Sequence, residues 1–162
     1  NTGFGAPTTN VDLSPAHATV KTPVIGELIT EVLFSMFDGL SRVQGDPESW
    51  TPEVAELYGK PLYDNGNAKA PLAMMRMVPD GPNHVSADAM RKIGDYVKTL
   101  DIPAEIVWGM NDPILGKALP RMQENFPKAP VTQTDAGHFL QEEVPTEIAE
   151  ALIRVLNQVN KK

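Results

Sequence analysis

The sequence predicts a chain that is helical in its first part and α/β in its second. Apolar residues recur at helical spacing in several segments before residue 100. After residue 101, strand, helix, strand and helix follow one another within about 60 residues, the pattern of a parallel α/β sheet. With 162 residues the chain has the size of one compact domain, and two full domains would be a squeeze.

The first 20 residues, rich in Gly, Pro, Thr and Ser, read as a loop. From Val24 to Arg42 the residues Val24, Ile25, Leu28, Ile29, Val32, Leu33, Met36 and Phe37 describe a wide helical face, which predicts a largely buried helix. "SWTPEVAELYGKP" carries Thr51 as a cap, Pro52 at the first helical position and Glu53 in the first turn, and the helix is expected to stop at Gly59. "APLAMMRMVP" is a short apolar segment read as helix. Ser86 is read as the cap of a further helix to about Leu100, with Met90, Ile93, Val97 and Leu100 on one face.

"IPAEIVWGM" is a β-branched and aromatic run closed by Gly109, which reads as a buried strand. "NDPILGKALPRMQENFP" reads as a loop and helix, and "APVTQTD" as a second strand. Thr146 to Val159 reads as an amphipathic helix with Ile148, Leu152, Val155, Leu156 and Val159 on one face.

Composition narrows the function classes. Fourteen basic against 21 acidic residues give a net charge of −7, the wrong sign for a phosphate backbone, so nucleic acid is not an expected partner. Cys is absent, which removes thiolate zinc sites, disulfides and a cysteine nucleophile. Apolar stretches fall short of the roughly 18 residues of a membrane span, and "NTGFGAPTTN" lacks the marks of a signal peptide, so a cytoplasmic protein is the default expectation. Residue 1 is Asn rather than Met, which suggests a piece of something longer.

In parallel sheets, functional groups gather beyond the carboxyl ends of the strands. Asp112 follows Trp108-Gly109 there, and Pro113 biases it towards extended backbone; His138 follows Asp135-Ala136-Gly137, where Gly137 can take a positive φ. A carboxylate that accepts from one ring nitrogen fixes the tautomer and leaves the other nitrogen as a general base, the second half of a nucleophile, base and orienter triad. Asp-Pro alone also makes turns, and a lone loop histidine also serves structure; the two in order on neighbouring strand ends favour the catalytic reading.

Other groups fit less well. His17 and His84 lie in Pro-flanked loops and no His pair has helical metal-binding spacing, so no metal is expected. Glu142 and Glu143 are expected to start the final helix, where acids favour the dipole. Gly3 and Gly5 lack the strand and third glycine of a dinucleotide loop, and Tyr58 and Tyr63 read as packing residues.

"VWGMNDPILG", "FPKAPVTQTDAGHFLQEEVP" and "MRMVPDGP" together resemble the carboxyl-terminal half of the haloalkane dehalogenase-like branch of the α/β-hydrolase superfamily. "NTGFGAP" resembles the exit from that fold's sixth strand. The resemblance implies residues 1–9 as the exit from a core strand, 10–95 as a helical cap and 96–162 as the last part of the core. It also implies Asp112 and His138 as triad acid and histidine, a small apolar substrate and no cofactor.

Relatives that place the acid one strand earlier would need a carboxylate near Asn1 or Thr2, where this chain has none. The family's aspartate nucleophile has no counterpart here, and Ser14, Ser35, Ser41, Ser49 and Ser86 all lack the Gly-x-Ser-x-Gly setting of the serine relatives. Trp50 stands before a helix cap, a poor place for a halide ligand. The chain is therefore expected to work with a non-covalently held amino-terminal piece that supplies nucleophile and remaining strands. Epoxide, ester or β-lactone hydrolysis, or a non-catalytic binding module, are the alternatives.

Overall fold

A computed structural model describes residues 1–12, 15–33 and 37–160, with the side chains of residues 15, 16, 32 and 33 excepted. The chain divides into two compact units. One holds residues 5–40 and 51–93; the other holds residues 1–4, 41–50 and 94–162.

The first unit is helical. Helix α1 spans Pro15–Lys21, so the expected opening loop contains a helix; Pro15 fits its first turn because the missing N–H has no intrahelical partner there. α2 is a three-residue turn, Ile25–Glu27, that passes into a π-helix over Leu28–Leu33. The expected buried face is not formed: Val24 is 77% exposed, and Ile25 and Leu28 are also exposed. The change from i→i+4 to i→i+5 bonding breaks the 3.6-residue period on which that face depended. The side chains of Val32, Leu33 and Met36, also assigned to it, lie outside the described residues, as do Ser14 and Ser35.

Helix α3 runs Pro52–Asp64, with the Thr51 hydroxyl accepting from the Val54 amide at 3.3 Å as expected of a cap. It does not stop at Gly59. That glycine is a packing position, since a Cβ would stand 2.9 Å from the Tyr63 ring. The turn that ends the helix uses Gly66, at φ 67°, where a residue without Cβ is favoured. α4 spans Ala70–Met77, and Arg76 grips Glu27 through its two terminal guanidinium nitrogens at 2.5 and 2.9 Å. α5 spans Ala87–Lys98. The Ser86 hydroxyl donates to the Met77 carbonyl at 2.5 Å, tying the entry of α5 to the end of α4.

The second unit holds the α/β part. Strand β1, Ile106–Gly109, pairs in parallel with β2, Val131–Thr134, with Ile106 opposite Val131 and Gly109 opposite Thr134. The crossover carries α6, Leu119–Asn125, and α7, Pro145–Val159, follows β2 and packs on β1. Ile106, Trp108, Leu119 and Met122 form the core, with Phe4 edge-on to Phe126 at 6.3 Å beside it. The Trp108 indole is satisfied by the Gly116 carbonyl at 3.0 Å, so the large ring is buried without leaving its N–H unpaired. Among the described residues no helix is long and apolar enough to cross a membrane.

Candidate active site

Beyond the carboxyl ends of β1 and β2 the ladder continues. The amide of Met110 donates to Thr134, the amide of Asn111 to Ala136, and the Asn111 side chain to the Asp135 carbonyl at 2.7 Å. These bonds draw the two loops together. Gly109 is required by the closeness of the approach: a Cβ there would lie 2.4 Å from the Ala136 carbonyl oxygen.

The loops bring Asp112 and His138 into contact, with His138 Nδ1 2.9 Å from Asp112 Oδ2. Every acceptor direction of the carboxylate is used. Oδ1 accepts from the amides of Ile114 at 2.7 Å and Leu115 at 3.1 Å, and Oδ2 accepts from the Asn1 side-chain amide at 2.8 Å. Burial pushes the Asp112 carboxyl up, but the hydrogen bonds from His138, Leu115 and Ile114 and the positive charge that the ring carries when protonated outweigh it, and the group is held down to about 2. An ionised carboxylate only accepts, so Nδ1 carries the hydrogen and Nε2 remains available to act on another group. The Asp112 side chain is fully buried and that of His138 is 23% exposed, so reagents reach the imidazole and not the carboxylate.

Asn1 does more than touch Asp112. Its side-chain oxygen accepts from the Gly109 amide at 3.0 Å and its nitrogen donates to the Gly109 carbonyl at 2.8 Å, pairing with the last residue of β1 as a neighbouring strand would.

The histidine loop departs from expectation in two places. Gly137 does not have a positive φ. It is needed because a Cβ would stand 2.3 Å from the Val43 carbonyl oxygen and 2.4 Å from Gln44 Cα. Glu142 and Glu143 do not start the final helix: Leu140–Glu142 forms a 3-10 turn and α7 begins at Pro145. The Glu143 carboxylate turns back and accepts three backbone amides, from Gly137 at 2.8 Å, Gly45 at 3.2 Å and Asp46 at 2.7 Å. Loop amides without a ladder partner outcompete the weak attraction of a helix end.

The buried Gln44 accepts from the Phe139 amide at 3.0 Å and donates to the Phe139 carbonyl at 3.2 Å. The only sequence signal for either residue is a polar side chain beside a glycine-bearing loop. Trp50 is buried with its ring 4.8 Å from that of Phe139, a packing role.

The remaining candidates serve structure. His17 Nε2 lies 3.3 Å from the Met75 carbonyl, and His84 Nδ1 accepts from the Ser86 amide at 3.2 Å. Tyr63 meets Phe37 edge-on at 6.3 Å. Among the described residues no three His, Asp or Glu side chains gather as a metal site.

No family model matches the chain. The crystal structure of haloalkane dehalogenase DatA from Agrobacterium tumefaciens C58 superposes with a TM-score of 0.74 over 94% of this chain and 55% of that one, at 23% identity. The fold is that of the carboxyl-terminal part of an α/β-hydrolase. Haloalkane dehalogenase 1 of Mycobacterium tuberculosis is 31% identical over 99 residues, 59% of this chain and 33% of that protein. The haloalkane dehalogenase of Mycobacterium marinum is 30% identical over 105 residues, 63% of this chain and 35% of its own length. In sequence and in fold the chain thus resembles the haloalkane dehalogenase-like branch of that superfamily. It spans about a third of the length of the curated relatives it matches.

Proposed function

We propose that this chain supplies the acid and the base of a haloalkane dehalogenase-like hydrolase whose nucleophile stands on an amino-terminal segment held without a covalent link. The observation that carries this reading is the 2.9 Å contact between an ionised, fully saturated Asp112 and an imidazole with one nitrogen still available. The names of the relatives supply the substrate class, a small apolar halide, and residues 10–95 would form its cap.

The reaction has two steps. An aspartate carboxylate on the amino-terminal segment attacks the carbon bearing halogen, forms a C–O bond and expels halide, leaving an alkyl ester. His138 Nε2 then takes a proton from water, whose oxygen adds to the ester carbonyl; the alcohol leaves with a proton returned from the imidazolium, and the aspartic acid so formed loses its own proton to solvent, which restores the carboxylate and balances the halide expelled in the first step. Asp112 stabilises the imidazolium while it lasts. Neither step calls for a metal or organic cofactor.

Two surfaces support an amino-terminal partner segment. Among the described residues β1 pairs only with β2. Beside it lies an apolar groove of about 560 Å³ lined by Phe4, Ile106, Trp108, Leu140, Leu152 and Val155. An open strand edge next to an apolar face is what further parallel strands would cover. The test is halide release from a short bromoalkane by the chain combined with the amino-terminal segment of a haloalkane dehalogenase. Turnover is expected only from the combination, and a combination that assembles yet releases no halide overturns the reading.

A further inference from the structure

We propose that Glu143 and Gln44 are positioning residues for His138, holding its backbone so that the imidazole meets Asp112; this rests on the reading of His138 as the base. A hydrogen bond to a carboxylate orients a ring only if the Cα that carries the ring is itself fixed. His138 lies in a loop past the end of β2, where no strand ladder does this.

Gly137 N–H is taken by Glu143, His138 N–H by the Val43 carbonyl at 2.7 Å, and both Phe139 N–H and C=O by the Gln44 amide, while the His138 carbonyl accepts from the Asn1 backbone nitrogen at 2.6 Å. Every backbone group from Gly137 N–H to Phe139 N–H that points to the 43–46 segment has a partner there or on Glu143. The same Glu143 carboxylate holds the amides of Gly45 and Asp46, and so fixes the segment that fixes the loop.

The close approach admits no play. A Cβ on Gly45 would lie 2.1 Å from the Asp135 carbonyl oxygen, and one on Gly137 would lie 2.3 Å from that of Val43. A helix-starting glutamate would need none of these bonds. Gln44 has no such alternative either, because it is buried with both ends of its amide engaged.

The experiment reads the imidazole directly. In the full chain labelled with nitrogen-15, at about pH 8.5 where an imidazole is neutral, the ring shifts of His138 report which nitrogen carries the hydrogen. Wild type is expected to show Nδ1 protonated almost throughout. Glu143→Ala and Gln44→Met are each expected to move both ring nitrogens towards the averaged shifts of a free imidazole, and Glu143→Gln is expected to recover part of the change. Glu105→Gln, which loosens the Arg154 ion pair outside this loop, is expected to leave the ring as it is.

Should Glu143→Ala fail to fold, Gln44→Met decides, since it leaves the three Glu143 bonds in place. Ring shifts equal to wild type in a folded Gln44→Met or Glu143→Ala overturn the proposal. Failure of the base reading has a different signature: halide turnover by the combined protein that survives His138→Ala.

Discussion

Asp112 receives four hydrogen bonds, two from the turn that follows it, one from Asn1 and one from His138. Its ionisation is therefore linked to folding. The folded group titrates near 2 against 3.8 for the ordinary carboxyl. Because the folded value is the lower, the stabilisation is fully present above about pH 4 and is lost as pH falls through about 2. Asp112→Asn removes this contribution while keeping the shape. In the combined protein, the gap in urea midpoint between wild type and Asp112→Asn is expected to be widest above about pH 5 and to close towards about pH 2. A gap that stays constant over that range would mean that the carboxylate is not held as described.

At the scale of elements, the histidine loop stands on glycines chosen for space. Gly137→Ala places a methyl group 2.3 Å from the Val43 carbonyl oxygen, and backbone must move to admit it. The cost is expected to be about 1–3 kcal/mol in denaturant unfolding. Gly3→Ala meets nothing within 4 Å and serves as the control, expected to change stability by less than about 0.5 kcal/mol. Equal effects from the two would contradict the packing described here.

The same loop shows why some elements could be read from sequence and others could not. β1, β2, α6 and α7 declare themselves through local periods and bounding Gly and Pro residues, and the order of Asp112 and His138 on strand ends follows from them. The bracing of that loop by Gln44 spans 95 positions in the chain, so no local pattern encodes it. Gly59 and Gly137 differ from expectation for a related reason: the sequence suggests a conformational role for each, whereas both answer to a neighbour that only the fold brings close. The π-helical turn after α2 departs from the 3.6-residue period that the apolar spacing suggests.

For the molecule as a whole, the sheet formed by the described residues holds the two strands β1 and β2. A two-stranded parallel pair with an open edge and an apolar groove beside it is not a common end state, because parallel strands are ordinarily covered on both faces. The DatA structure extends well beyond the matched region, this chain accounting for 55% of it. Association with an amino-terminal segment would complete the sheet and bring a nucleophile to Nε2 of His138 in the same event. The most direct measurement is the intact mass of that segment after the His138→Ala chain, combined with it, has been exposed to a bromoalkane. The account predicts an amino-terminal segment heavier by one alkyl group on its aspartate, persisting because no base activates water, while the wild-type combination shows none and turns over. A His138→Ala combination that assembles, carries no adduct and still releases halide at the wild-type rate would contradict it.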